Sequence, residues 1–394
     1  MTAALRTIPA ELGRFEKLFL AVGGAAAAAS LVAAVESPEG FFRSYLVAYL
    51  FWLGLSLGSL AILMLQHLSG GAWAMVIRRL LEAAARTLPL MAALFLPLVP
   101  GLKHLYVWTD LDQVARDELL QHKSSYLNVP FFLVRALVYF AVWLALAFVL
   151  GKWSHEQDES SDPRLARRMQ LVSGPGLALF VLTMTFASID WAMSLEPHWF
   201  STIYGALFIV GQVLGAFSFA IAMVIIVSRR EPLSSVLSQE HLHDLGKLLL
   251  AFVMVWTYFA FCQFLIIWAG NLPEEIPWYL RRLTGGWQWI ALALVLGQFA
   301  MPFLLLLSRN IKRDSKTLAR VAILVILLRV VDLHWMIVPA FRGRTGGGIP
   351  GLDLVLLVAV GGLWLGTFLR RLKERPLLPV GDPHLEEALA HGRR

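Results

Sequence analysis

Three short patterns hold the side chains able to move protons or bind a polar ligand. The first reads Leu328-Arg329-Val330-Val331-Asp332-Leu333-His334 within a long apolar run. At helical spacing Arg329 and Asp332 share a face and are close enough for an ion pair, while His334 points elsewhere, toward a neighbouring helix. An ionisable group deep in an apolar segment is costly, so it is paired, functional or both. Two readings stand: a neutralised pair that pins helix packing, or titratable groups, Asp332 and His334, that relay protons while Arg329 tunes the carboxyl. In the second pattern Asp190, Glu196 and His198 lie close together with no Lys or Arg among them. That density suits the outer end of a proton path. It equally suits a turn in which Ser201 or Thr202 caps the next helix. The third pattern is Arg135 with Tyr139 one turn on, near enough to the end of its run for the guanidinium to snorkel to water.

Other chemistries find little support. No metalloprotease-type His-Glu-x-x-His and no Walker-type phosphate loop is present. The one cysteine, Cys262, lies in an apolar run and reads as a small core residue. A single cysteine cannot hold an iron–sulfur cluster, a c-type haem attachment, a disulfide or a thiolate zinc site. A transmembrane b-type haem needs two histidines at matching depth, and only His334 lies deep. His67, His104 and His198 sit near run ends, and His241 and His243 fall in a polar loop that reads as solvated surface. No metal site is expected. Gly346–Gly348 reads as a flexible turn, and Gln212, Gln263 and Gln298 read as polar contacts between helices.

These residues sit in a chain of 394 residues that is 58% hydrophobic and 15% charged, with mean hydropathy +0.66. Soluble domains carry about 45–50% apolar and about 25% charged residues. The balance excludes a disordered chain, a disulfide scaffold and a nucleic-acid-binding domain. A spanning helix needs about 20 predominantly apolar residues. Ten stretches qualify: Phe15–Val35, Phe41–His67, Leu88–Trp108, Val129–Trp153, Leu171–Asp190, Thr202–Ser228, Leu245–Ala269, Trp287–Ser308, Leu318–Phe341 and Gly351–Leu369. They lack period-two alternation and are about twice the length of a barrel strand. The fold class is therefore an all-α polytopic membrane protein. It divides into a segment 1–14, a ten-helix domain 15–370 and a tail 371–394. A signal-peptide reading of Arg6, Arg14 and Lys17 with the alanine-rich run is the weaker one, because that run is long for a signal.

Between the spans, Trp73–Ala84 has apolar residues at helical spacing beside Arg78 and Arg79, and is expected to lie in the membrane interface or against a partner subunit. Asp162 followed by Pro163 reads as a helix start. The longest loop, Lys103–Tyr126, is expected to hold a short surface helix. Kinks are expected at Pro89, Pro97, Pro100, Pro175, Pro302 and Pro339. Of the 34 Lys and Arg, 24 fall on the side of the N-terminus, 8 on the other, and Arg135 and Arg329 within spans. By the positive-inside rule both termini face the cytoplasm, which requires an even number of spans. The basic balance thus reports topology, not nucleic acid.

The string DWAMSLEPHWFSTIYGALFIVGQ (Asp190–Gln212), together with RVVDLHWMIVPAF (Arg329–Phe341), resembles the F-subunit family of bacterial alternative complex III, within the wider NrfD/PsrC-like membrane proteins. The resemblance extends over nearly the whole chain. It implies a bacterial inner-membrane subunit of a quinol:cytochrome c or quinol:oxidase oxidoreductase. It implies two four-helix bundles, spans 2–5 and 6–9, with spans 1 and 10 peripheral. Haems c and iron–sulfur clusters are then expected in partner subunits: an iron–sulfur subunit, a paralogous C subunit and c-type cytochromes. No cofactor is expected on this chain, although quinol is possible. The family's F subunit is a candidate for proton translocation. On that footing Asp332, His334 and Arg329 are the central proton-path residues, Asp190, Glu196 and His198 the outer end, and Arg135 a lesser member. A quinol-binding subunit proper, with His334 or His198 as hydrogen-bond partner, remains an alternative, as do a free-standing secondary transporter and a purely architectural subunit.

Overall fold

The computed structural model describes residues 11–160, 162–231, 233–341 and 351–391. The expected turn at Gly346–Gly348 lies outside them, as does most of the segment 1–14. Among the described residues the structure is helical and contains no strand. Nine helices are long and apolar enough to cross a membrane, or ten spans if one bent pair is counted as a span. The helices that matter for position are α1 (Glu11–Glu36), α2 (Pro38–Ser69), α3 (Arg78–Ala85), α4 (Leu88–Phe95), α5 (Leu98–Leu105), α6 (Val129–Ser160) and α7 (Pro163–Trp191). They continue with α8 (Tyr204–Val227), α9 (Gln239–Gly270), α10 (Ile276–Arg282), α11 (Trp287–Leu307), α12 (Ser315–Ile337) and α13 (Leu352–Lys373). Leu137, Phe148, Trp268 and Trp289 are each at least 67% exposed. Water would penalise so much bare apolar surface, whereas lipid does not. The chain has the build of a polytopic membrane protein.

Helix α2 is the centre. It is buried nearly all round and packs on α1, α3, α4, α5, α7, α8, α12 and α13. Pro38 and Glu39 in its first turn suit a helix start, where the missing proline N–H is no loss and the carboxylate meets the positive end of the dipole. Helices α1 and α13 lie against each other so closely that a Cβ on Gly362 would stand 2.5 Å from the Gly23 Cα. Further along, α6 packs on α7, α7 on α8, α8 on α9 and α12, and α11 on α12. The Glu16–Lys373 ion pair shows that the described chain ends share one end of the molecule, called here the terminal face.

Several expectations are corrected. The stretch expected as one span over 88–108 is broken, with a 64° bend between Arg78–Phe95 and Leu98–Leu105. Pro97 at the break has no N–H to continue the ladder. Pro175, by contrast, sits inside the long α7, and Pro302 follows a π-helical turn at Val295–Ala300. Trp73–Ala84 is not an interfacial helix. Its helical part begins at Arg78, and every residue of α3 is buried inside the protein. The Asp162–Pro163 start does form, with Asp162 accepting from the Arg164 N–H at 2.9 Å. The loop 103–126 holds two short helices, Leu111–Arg116 and Glu118–Lys123, capped by Asp110 and Asp117.

Candidate functional site

Two buried charged residues lie within the span α12. At 1.5 Å rise per residue, Arg329 is about 21 Å along the axis from Ser315 and about 12 Å from Ile337. Arg329 Nη1 donates to Asp332 Oδ2, and both side chains are buried. The i, i+3 spacing made that pair possible. Neighbouring helices complete the surroundings. Gly211 on α8 gives the guanidinium its room, since a Cβ there would stand 2.3 Å from Arg329 Cζ. Trp256 of α9 and Gln298 of α11 face Asp332. Gln298 belongs to the π-helical turn of α11. Such turns widen a helix locally and re-aim side chains, and they recur at functional sites.

The satisfaction of these groups is incomplete. Arg329 Nη2, both amide atoms of Gln298, Trp256 Nε1 and Gln212 Oε1 are buried without a direct protein partner. A narrow cleft with room for about one water, lined by Gly54, Gly211, Gln212, Gly215 and Arg329, lies between α2, α8 and α12. Buried polar groups of this kind bind ordered water where there is room. A carboxylate, a guanidinium and an amide side by side can hold a proton and exchange it with a bound water.

The second pattern does not form one cluster, because each member meets a cation or partner from elsewhere. Asp190 is fully buried and takes Arg135 in a two-pronged pair, Nε to Oδ2 at 2.8 Å and Nη2 to Oδ1 at 2.9 Å. Tyr139 donates to the same carboxylate at 2.8 Å, and Arg135 Nη1 donates to the Tyr126 carbonyl at 2.9 Å. The Arg135 guanidinium also stacks over Tyr126 and Phe131. Arg135 therefore turns inward and does not snorkel; a buried carboxylate two-pronged to it outweighs hydration of an exposed head. Glu196 takes Arg281 at 2.7 Å and Arg282 at 2.6 Å. Arg282 is itself buried, donates to the Met336 carbonyl at 2.7 Å and lies over Trp278. Burial pulls the Arg282 guanidinium below its ordinary value, and Glu196 opposes the fall. His198 is exposed and faces Asp117 at 2.7 Å. Ser201 does not cap α8, whose first turn has no side-chain cap; its hydroxyl goes to Gln263 instead. His334 is half-buried and stacks on Trp287 of α11.

Sequence reasoning missed a second polar network, at the terminal face. Glu82 accepts from Arg78 Nε at 3.1 Å, from Arg79 Nη1 at 2.5 Å, from Ser154 at 2.7 Å and from Arg375 at 3.3 Å. Arg78 pairs further with Asp382 and Arg79 with Asp158. Three guanidinia and three carboxylates thus tie α3, the end of α6 and the C-terminal tail together. The spacing Arg78-Arg79-x-x-Glu82 was a readable signal of mutual pairing. His241, expected on a solvated surface, is buried: Nδ1 meets Ser238 at the start of α9, and Nε2 lies 3.0 Å from the Ala388 carbonyl. Cys262 is half-buried, not core. Among the described residues no group of three or more His, Cys, Asp or Glu is placed to hold a metal ion. Comparison with known protein families and with curated proteins finds no match to this chain.

Proposed function

We propose that this chain is a membrane subunit of a quinol:acceptor oxidoreductase of the alternative complex III type, and that the Arg329–Asp332 cluster relays protons in it. The assignment to such a complex rests on the resemblance of Asp190–Gln212 and Arg329–Phe341. The proton role rests on one observation: the buried Arg329–Asp332 pair lies among buried polar atoms, Arg329 Nη2 and Gln212 Oε1, that have no direct protein partner. Asp190 supplies the contrast. Its carboxylate has three side-chain hydrogen bonds, which fix α6 on α7. Asp332 takes the proton in this reading, and Arg329 sets how readily it does so. Gln298, Trp256 and Gln212 align the water that delivers it.

In the same reading the chain sits in a bacterial cytoplasmic membrane with both ends in the cytoplasm. Haem c and iron–sulfur clusters belong to partner subunits. By the same resemblance helices α2–α7 form one bundle and α8, α9, α11 and α12 the other, with α1 and α13 peripheral. Purification of the tagged chain from native membranes tests the assignment. Co-purifying c-type haem and quinol:cytochrome c activity are the expected result, and a clean single chain without haem would refute it. Asp332→Asn tests the proton role. Proton translocation should fall while quinol oxidation persists, and equal loss of both in an assembled complex would count against a relay.

A further inference from the structure

A cavity of about 400 Å³ opens between the segment Phe200–Ile203 and the last turns of α9, on the face opposite the terminal face. That volume includes its open mouth; the enclosed part is about 100 Å³. Gln263 lines it and is 1% exposed. Its Oε1 accepts from the Ser201 hydroxyl at 2.8 Å, but Nε2 is buried with no partner. An amide N–H left dry is costly, so it calls for an acceptor. The wall is apolar and turned outward: Phe200 is 54% and Ile266 57% exposed. Glu275, half-buried, lies at the rim, and no ion pair is described for it. Lys123 flanks the mouth, with Nζ 5.9 Å from the Phe200 ring centre and 2.6 Å from the Pro197 carbonyl.

The occupant that answers all of these at once has acceptor oxygens, a cationic group, an anionic group and a long apolar part. We propose that this cavity is a binding site for an amino-phospholipid with an ethanolamine headgroup. Gln263 Nε2 donates to an ester carbonyl or phosphate oxygen. The ammonium pairs with Glu275, the phosphate lies toward Lys123, and an acyl chain follows Phe200 and Ile266 along the outside of α9. The site lies outside the Asp332 cluster, and the inference does not depend on the proton-relay reading.

Native mass spectrometry of the full chain, in whatever assembly it purifies with, tests this after progressive delipidation. The wild type should retain one phosphatidylethanolamine per chain when bulk lipid is gone. In nanodiscs holding equal parts phosphatidylethanolamine and phosphatidylglycerol, Gln263→Leu should lower retention roughly two- to tenfold, the net worth of one buried hydrogen bond. Glu275→Gln, at the rim and safe for folding, should leave lipid bound while abolishing the preference for ethanolamine over glycerol. Retention of no lipid by the wild type, of a quinone in its place, or equal retention and selectivity in all three proteins would overturn the assignment.

Discussion

Replacing Asp332 by Asn removes the carboxylate bonded to Arg329 inside the apolar helix α12. Both side chains are almost fully buried, at 2% and 4% exposure, so little water reaches the guanidinium that remains. Breaking a buried pair from one side costs about 3–5 kcal/mol, because a charge is left without its partner. Arg329 Nη2 already lacks a partner, and the free acceptors on neighbouring helices, Gln212 Oε1 and Gln298 Oε1, are neutral and do not replace a carboxylate. We therefore expect Asp332→Asn to lower unfolding stability toward the upper part of that range. The double variant Arg329→Met with Asp332→Asn removes both charges, and replacement of buried pairs by apolar groups is near neutral or better. It should recover most of the loss. Denaturation of the purified protein in mild detergent measures all three, and reconstituted vesicles with a pH-sensitive dye measure translocation. The relay reading requires rescue of stability without rescue of translocation. If the double variant restores both, the pair only pins helix packing; a loss below about 1 kcal/mol in Asp332→Asn would show the guanidinium to be hydrated and the reasoning wrong.

Gly211→Ala places a methyl where the Arg329 guanidinium lies. It should disrupt the pair and reproduce the translocation defect of Asp332→Asn, as the vesicle assay would show. Glu82→Gln leaves Arg78, Arg79 and Arg375 facing only Asp158 and Asp382. It should destabilise by about 3–5 kcal/mol, read as a lowered thermal unfolding midpoint in mild detergent. Arg135→Lys keeps the charge but loses the two-pronged bond to Asp190, with an expected cost of about 1.5–3 kcal/mol in thermal unfolding. Asp117 accepts the Leu119 and Leu120 N–H groups and faces His198, and these contacts, the Leu120 bond first, hold its carboxyl below the ordinary carboxylate value. A depressed carboxyl stabilises the fold above its unfolded value and loses that support as pH falls through the folded one. Hydrogen exchange over Glu118–Lys123 should therefore quicken as pH drops below about 4, and Asp117→Asn should blunt the change.

Some of this was written in the chain itself. Runs of about 20 apolar residues can satisfy their backbone in lipid only as helices, so the all-helical build was legible before any contact was known. The same holds for the Asp162–Pro163 start and the Arg329–Asp332 pair, whose partners lie within a few residues of each other. The bend at Pro97 was legible in kind, but its angle was not. What stayed hidden were partners distant in sequence. Asp190 meets Arg135 across 55 positions, Glu196 meets Arg282 across 86, and Arg78 meets Asp382 across 304. Periodicity says which face of a helix a residue occupies, and nothing about what another helix brings to that face. For that reason a lone-looking acidic string resolved into three separate pairs, and an apparently interfacial basic helix turned out to be buried. Only helix packing could set Gly211 against Arg329 and bring Gln298 and Trp256 to Asp332, because each comes from a different helix.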